Sequence, residues 1–141
     1  MIDCMIIGDS IAVGTAHFKQ ECQAEYAQGG INTHQWNQKF KDANLSASML
    51  IISLGTNDHQ YVNTRKELMA MRERVTANRV YWVLPYGNNP KSRVSIKEIQ
   101  EAVKEIAFIY GDTILPIKRV QQDGIHPSWA GYKEIAQEAK F

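Results

Sequence analysis

The chain has 141 residues, with 16 basic and 15 acidic side chains and a formal net charge of +1. This length predicts one domain, over residues 1–141, that buries about two thirds of its unfolded surface. The balanced charge and the absence of a basic cluster argue against a nucleic-acid partner. No apolar run approaches the ~20 residues that a membrane-spanning helix needs, so we expect no membrane span.

The N-terminal segment and the two cysteines set expectations about the compartment. The chain begins with an apolar strand-like run and lacks both a basic start and a long apolar stretch. We therefore expect no secretory signal and, by default, a cytoplasmic location. Cys4 lies in the first strand pattern and is expected to be a buried free thiol. A disulfide with Cys22 is the open alternative, although nothing in the sequence requires it. No Cys-x-x-Cys or His-Glu-x-x-His motif is present, so we expect no metal site.

Short apolar runs along the chain predict five β-strands. They are Ile2–Ile7, Ala24–Ala27, Met49–Leu54, Val80–Leu84 and Thr113–Ile117. The third and fourth runs are almost continuously apolar, which is typical of strands that are covered on both faces.

Segments with helical spacing lie between these runs and after the last one. The clearest helical face comprises Ile96, Ile99, Val103, Ile106 and Tyr110, and Gly111 is placed to end that helix. Shorter faces are Leu68, Met71 and Val75, and then Tyr132, Ile135 and Ala139. This alternation predicts an α/β fold with a parallel sheet between two helical layers. We expect a single flavodoxin-like three-layer α/β/α domain, with a five-stranded sheet in the order 2-1-3-4-5.

Two polar motifs follow predicted strands and precede helix-like segments, which is where open α/β sheets place their ligands. The first is Gly8-Asp9-Ser10, and the second is Asp123-Gly124-Ile125-His126-Pro127. An aspartate can hold one ring nitrogen of a histidine three residues later, which leaves the other nitrogen free to act on a serine hydroxyl. The motifs therefore predict a triad of Ser10, His126 and Asp123.

Two further turns complete a recognisable pattern. They are Gly29-Gly30-Ile31-Asn32-Thr33 and Gly55-Thr56-Asn57-Asp58, which follows a strongly apolar run. Together the four turns resemble the SGNH (GDSL-type) hydrolase family, over the range Ile6–Tyr132. The resemblance implies that Ser10 is the nucleophile, that His126 is the general base and that Asp123 orients it. It also implies an oxyanion hole made by the backbone N–H groups of Ser10 and Gly30 and the side-chain amide of Asn57, although Gly29 fits the glycine position as well.

The family resemblance implies a serine carboxylic-ester hydrolase that works through an acyl-enzyme, with no cofactor. We expect a small-molecule or carbohydrate ester as substrate. Acetyl or other short acyl groups are favoured, because so short a chain leaves little room for a lid.

A lysophospholipase or thioesterase of the same family and a non-catalytic glycan- or protein-binding relative are the alternatives. A flavin-binding protein of similar fold would leave Asn57 and His126 without a role. The sequence does not indicate an oligomeric state.

Several residues near these motifs allow two interpretations, one functional and one structural. Asp9 and Asp58 adjoin site residues, and we expect them to hold tight turns through hydrogen bonds to backbone N–H groups. His59 either borders the site or is an exposed loop histidine, whereas His17 and His34 fall in helix-like segments and receive no role. Trp36, Tyr86, Trp129 and the Tyr86–Pro90 loop either line the site or serve packing.

Overall fold

The computed structural model describes residues 1–141 and contains a parallel sheet of four strands with five helices. The strands are β1 (Ile2–Gly8), β2 (Ser46–Ser53), β3 (Thr76–Val83) and β4 (Thr113–Leu115). The helices are α1 (Ser10–His17), α2 (Thr33–Lys39), α3 (Thr64–Glu73), α4 (Ile96–Tyr110) and α5 (Trp129–Glu138). None of these helices combines the length and the apolar character needed to cross a membrane.

The sheet has the order β1-β2-β3-β4, so the expected five-stranded sheet in the order 2-1-3-4-5 is wrong. The predicted strand Ala24–Ala27 is the missing member. Its segment does run parallel to β1 on the free edge, but it makes only two isolated bridges, Met5 to Gln23 and Gly8 to Ala27.

A difference in spacing explains why this edge strand does not form. Between the two bridges, β1 advances by three residues (8 − 5), whereas the edge segment advances by four (27 − 23). The extra residue is absorbed by a turn at 25–26, which interrupts the hydrogen-bond ladder as a bulge does. The segment therefore keeps its place beside β1 without being a strand.

The core lies on both faces of the sheet, as the continuous apolar strands predict. In β2, Leu50 and Ile52 point into one cluster, and Met49 and Ile51 point into the other. The first cluster is closed by α2, α3 and α4 and the second by α1 and α5, which gives three layers. Trp36 belongs to the first cluster, is fully buried and donates its ring N–H to the Tyr26 carbonyl at 2.8 Å. It therefore does not line a site, as its sequence position had allowed.

Local capping defines where the helices begin and end. An Asp, Asn or Ser side chain at each N-cap accepts a hydrogen bond from a backbone N–H in the first turn; these are Asp9, Asn32, Asn63, Ser95 and Ser128. Gly111 ends α4 with a φ of 70°, in the left-handed region that glycine adopts readily. The sequence prediction of a stop at Gly111 is thus confirmed.

The two cysteines form a disulfide, so the expected free thiol at Cys4 is wrong. Cys4 is buried in β1, and Cys22 lies in the segment that runs beside it, with a Cα–Cα distance of 4.5 Å. The bond ties the edge segment to β1 where the hydrogen-bond ladder is incomplete. Disulfides persist in oxidising compartments, so the bond argues against the cytoplasmic location that we expected from the sequence.

Removal of the disulfide should destabilise the protein. The bond closes a loop with a sequence separation of 18, and a loop of this size is worth about 3 kcal/mol through the entropy of the unfolded chain. Urea unfolding of the Cys4→Ser, Cys22→Ser double variant should show a loss of this order. Alkylation of the wild type in denaturant without reductant should label no cysteine, and two labels would contradict the bond.

Candidate active site

The carboxyl ends of β1 and β2 meet closely, and the first site residues leave from this point. Gly8 pairs with Ser53, and a Cβ added at Gly8 would lie 1.8 Å from the Ser53 carbonyl oxygen. Glycine is therefore required here, both by this approach and by a φ of 137°. The next residue, Asp9, donates its backbone N–H to that same carbonyl at 2.9 Å. This places Ser10 at the edge of the sheet, as the first residue of α1.

Asp9 has a structural role, as we expected. Its Oδ1 accepts from the Ile11 backbone N–H at 3.0 Å, which caps α1, and from Ser53 Oγ at 3.2 Å. The carboxyl group is completely buried, and Oδ2 has no hydrogen-bond partner. Burial raises the pKa of Asp9 to about 7, and its hydrogen bonds offset only part of that shift.

The structure brings Ser10, His126 and Asp123 into one hydrogen-bonded series. Ser10 Oγ lies 2.9 Å from His126 Nε2, and His126 Nδ1 lies 2.7 Å from Asp123 Oδ2. An ionised Asp123 can only accept, so Nδ1 carries a proton and Nε2 is left to accept one from the serine. This is the geometry that proton transfer from a serine hydroxyl requires.

The loop that carries Asp123 and His126 is ordered by the carboxylate itself. Asp123 Oδ1 accepts from the backbone N–H groups of Ile125 and His126, at 2.9 and 3.0 Å. The Ile125 hydrogen bond, followed by that of the His126 side chain, lowers the pKa of Asp123 and keeps it ionised. Gly124 completes the turn with a φ of 68°. One carboxylate therefore shapes the turn and supports the histidine ring.

Free backbone donors surround Ser10. Neither Ser10 nor the turn residues Gly29, Gly30 and Ile31 donate their backbone N–H groups to another protein group. A Cβ at Gly29 would lie 3.8 Å from Ser10 Cβ, so the turn lies beside the serine. Gly30 has a φ of 78°, and this conformation favours glycine. These donors are available to a negatively charged oxygen formed next to Ser10.

Asn57 is held with a defined orientation of its amide. Its Nδ2 donates to the Ile31 carbonyl at 3.1 Å, and its Oδ1 accepts from Asn89 Nδ2 at 3.3 Å. Asn89 is oriented in turn, because its own Oδ1 accepts from the Lys91 backbone N–H at 3.0 Å. Backbone groups thus fix both amides, and the second hydrogen on Asn57 Nδ2 remains free.

Asp58 links the turn at Asn57 to two helices. Its oxygens accept from the Thr33 backbone N–H at 2.8 Å, from Thr33 Oγ1 at 2.7 Å and from Thr64 Oγ1 at 2.5 Å. The two threonines begin α2 and α3, where the helix dipole favours a negative charge. Burial nevertheless raises the pKa of Asp58. We expected short-range contacts only, whereas Asp58 joins segments that lie far apart in the chain.

The turn after β3 contributes two residues of the Tyr86–Pro90 loop, which the sequence allowed to line the site without giving either residue a role. Asn89 orients Asn57, and Gly87 packs against the histidine loop, because a Cβ at Gly87 would lie 2.0 Å from the Gly124 carbonyl oxygen. The sequence signal for these roles was the polar turn Asn88-Asn89-Pro90, a few residues after a buried strand. Its position at the same sheet edge as the other turns could have marked it.

The remaining candidates lie around this centre. His59 is half-buried, two residues beyond Asn57, and packs edge-on against the exposed Tyr61 ring. Tyr86 is exposed, as is Trp129, which packs against His17 and Phe18 at the end of α1. No group of three or more His, Cys, Asp or Glu side chains is arranged to hold a metal ion.

Comparison with solved structures identifies the fold. A lipolytic protein of the G-D-S-L family from Desulfitobacterium hafniense has a TM-score of 0.70 at 16% identity, covering 99% of this chain and 98% of that one. A member of the same family from Veillonella parvula has a TM-score of 0.66 at 16% identity, covering 99% of this chain and 96% of that one. The C-terminal catalytic domain of Streptococcus pneumoniae peptidoglycan O-acetyltransferase A has a TM-score of 0.66 at 18% identity, covering 96% and 89%.

These similarities confirm, at the level of the fold, the resemblance that the sequence motifs indicated. The chain has the α/β/α fold of the GDSL, or SGNH, hydrolases. No family model matches the sequence, and no curated protein matches it.

The buried carboxyl of Asp9 predicts a stability that depends on pH. Its pKa is about 7 in the folded chain, against an ordinary value of 3.8 for an aspartate in water. Between these values the folded protein keeps a proton that the unfolded chain has lost, so stability falls as pH rises, by up to roughly 1.4 kcal/mol per pH unit. Asp9→Asn cannot titrate, and its stability relative to wild type should therefore increase between pH 4.5 and 7. Urea unfolding of both proteins at several pH values tests this. The prediction is contradicted if their free energies of unfolding change with pH in parallel.

Proposed function

We propose that the chain is a serine ester hydrolase that works through an acyl-enzyme formed on Ser10. The observation that carries this proposal is the hydrogen-bonded series from Ser10 through His126 to Asp123, with distances of 2.9 and 2.7 Å. A serine hydroxyl is a weak nucleophile unless a neighbouring base removes its proton, and this series supplies that base. The fold shared with lipolytic proteins of the G-D-S-L family supports the same reaction class.

The proposed reaction has two halves. Ser10 Oγ attacks the ester carbonyl carbon, and its proton passes to His126 Nε2. The tetrahedral intermediate collapses, the bond to the alcohol breaks, and His126 returns the proton to the departing alcohol oxygen. Water then attacks the acyl-serine and gives a proton to the same nitrogen. The bond to Ser10 Oγ breaks, His126 returns the proton to Oγ, and the carboxylic acid leaves. Asp123 stabilises the protonated imidazole through Nδ1 in both halves.

We assign the oxyanion hole to the backbone N–H groups of Ser10 and Gly30 and the amide of Asn57. The N–H groups of Ser10 and Gly30 are unpaired within the protein, and one hydrogen of the Asn57 amide is free. Donors that are fixed before the reaction stabilise developing charge without reorganisation. The free N–H of Gly29 lies in the same turn, so the glycine assignment rests on Gly30 being the residue with positive φ.

The surroundings of the site favour acetyl or other short acyl esters with a polar alcohol part. His126 and Asp123 are open to solvent, with side chains 35% and 40% exposed. The two grooves that share His59, two residues beyond Asn57, are lined mostly by polar residues, and the large buried apolar side chains are committed to the two faces of the sheet. A long acyl chain gains about 0.8 kcal/mol per methylene only where apolar surface receives it. We therefore favour a carbohydrate ester over a lysophospholipid or a fatty thioester.

Acyl transfer is the second candidate function. One of the similar structures is the catalytic domain of a peptidoglycan O-acetyltransferase, and an acyl-serine can be attacked by a sugar hydroxyl as well as by water. The two reactions share the first half and differ in the acceptor. Product analysis with an acetyl ester, with and without added oligosaccharide, separates them.

Covalent labelling tests the nucleophile directly. A fluorophosphonate should add one adduct to the protein, because only a serine with a neighbouring base reacts readily. Peptide mass spectrometry should place the adduct on Ser10, and Ser10→Ala should lack both the label and activity on p-nitrophenyl acetate. Labelling at another serine, or full activity in Ser10→Ala, would contradict the proposal.

A double-mutant cycle tests how Asn57 and Asn89 act together. Asn57→Ala should lower kcat by roughly a hundredfold or more, with little change in KM, if the amide stabilises the oxyanion. Asn89→Ala should lower kcat by roughly tenfold, because it frees the Asn57 amide to rotate. In the Asn57→Ala background the second substitution should cost almost nothing.

The neighbouring Asn88 provides the matched control for this cycle. Its Oδ1 accepts from the Ile96 backbone N–H at 2.9 Å, in the same loop but away from Asn57. Asn88→Ala should leave kcat close to wild type. Equal losses in Asn88→Ala and Asn89→Ala, or additive losses in the cycle, would show that Asn89 only holds the loop.

A further inference from the structure

A small basic pocket adjoins the turn that carries Asn57. It has a volume of about 260 Å³ and is lined by His59, Gln60, Tyr61, Lys91 and Arg93. No acidic side chain lines it. We call this feature the basic pocket.

Hydrogen bonds fix the basic pocket to the turn that carries Asn57. Lys91 follows Asn89, which contacts Asn57, and the Lys91 backbone N–H donates to Asn89 Oδ1. The next residue, Ser92, donates its hydroxyl to the Asp58 carbonyl at 2.7 Å. On the other wall, His59 is two residues beyond Asn57, a span of at most about 7 Å. A substrate whose ester carbonyl lies at Asn57 therefore places its next substituent within reach of the basic pocket.

The charges of the basic pocket are not neutralised by the protein. Elsewhere on the surface Arg65, Lys118 and Arg119 each form an ion pair with a glutamate. Neither Lys91 nor Arg93 lies within 4.0 Å of a carboxylate. Two exposed cations thus face a concavity that contains no counter-charge.

Two of the acidic side chains near the basic pocket are bound by other residues. Asp58 is buried and bound by Thr33 and Thr64. Glu67 lines the adjoining groove, where its carboxylate is bound by His34 and Asn37. Glu98 and Glu101 are exposed and form no ion pair, but they lie in the next groove, which shares Gln60, and do not line the basic pocket.

The other walls of the basic pocket supply neutral donors. The Tyr61 backbone N–H donates to His59 Nδ1 at 3.2 Å, which makes Nε2 the ring nitrogen that carries the proton when the ring is neutral. The Tyr61 ring is 85% exposed and is steadied by edge-on packing against His59. Arginine can bind an oxyacid group through two parallel N–H donors, and lysine adds a point charge.

We infer that the basic pocket binds an anionic oxyacid group, a carboxylate or a phosphate, on the alcohol part of the ester substrate. This inference rests on the proposed function and narrows it, because it makes the substrate an acidic ester such as an acylated sugar acid or sugar phosphate. The anion would be held by Arg93 and Lys91 while the ester carbonyl lies at Asn57. Neutral esters would react without this contribution.

Matched acetyl esters test the inference through a ratio of rates. The substrates are 3-acetoxybenzoate, its neutral amide 3-acetoxybenzamide, and 3-acetoxyphenyl phosphate. Wild type should show a kcat/KM roughly tenfold higher for an anionic ester than for the amide at low ionic strength, with a smaller ratio in 0.5 M salt. The larger of the two anionic preferences identifies the group as carboxylate or phosphate.

Variants with equal changes in net charge locate the effect. Lys91→Met with Arg93→Gln should abolish the preference for the anionic ester. Lys41→Met with Lys104→Gln removes two exposed cations that do not line the basic pocket, and it should keep the wild-type ratio. An absent preference in wild type, or an equal preference in the first double variant, overturns the inference.

A binding measurement separates this inference from the proposed function. If wild type hydrolyses none of the esters, the proposed function fails. The basic pocket is then tested in Ser10→Ala by titration with 3-hydroxybenzoate and phenyl phosphate, monitored by amide NMR shifts. Shifts at residues 59–61 and 91–93 that vanish in the Lys91, Arg93 double variant support the subsite. No shift with either anion overturns it.

Discussion

The contact between Gly8 and Ser53 at the edge of the sheet is the constraint on which the candidate site depends. A side chain at position 8 would overlap the Ser53 carbonyl, so the two strands can approach this closely only with glycine. The approach lets the Asp9 N–H reach that carbonyl, and α1 then begins at once with Ser10. Ser10 therefore lies in the first turn of a helix, where the dipole favours the negative charge that an attack on an ester would generate beside it.

Two buried carboxyl groups place the site at a cost in stability. Asp9 caps α1 with one oxygen and leaves the other without a partner, and Asp58 binds the first residues of α2 and α3. Burial raises the pKa of both groups, so each is harder to ionise in the folded protein than in the unfolded chain. Neither forms a hydrogen bond with Ser10 Oγ or with His126, which hydrogen-bonds to Ser10 and to Asp123. Their effect on the proposed reaction is to fix where the serine and the Asn57 turn lie.

The sequence predicted those parts of the fold that depend on residues close together in the chain. Continuous apolar runs located the covered strands, and polar turns after them marked Ser10, Asn57 and His126, because parallel strands end at a common edge. The edge segment was wrongly predicted to be a strand. One extra residue breaks its register with β1, and the composition of a segment does not reveal its register. The bond between Cys4 and Cys22 depends on that same proximity across the sheet edge. Trp36 follows a glycine-rich turn, yet it is buried, since only the packing of α2 decides which way its ring points.

The site has two halves, and the turn after β3 joins them. Ser10 and Asn57 leave the sheet near each other, but His126 arrives on a separate loop whose turn is held by hydrogen bonds from Asp123 to the backbone of Ile125 and His126. Gly87 packs against that loop at Gly124, and Asn89, two residues later, orients the amide of Asn57. A shift of this turn would therefore change the position of the proposed base and of an oxyanion donor together. One turn, through Gly87 and Asn89, can thus affect both without contacting the serine, and the hydrogen bond to Asn57 is what gives Asn89 its role within the Tyr86–Pro90 loop.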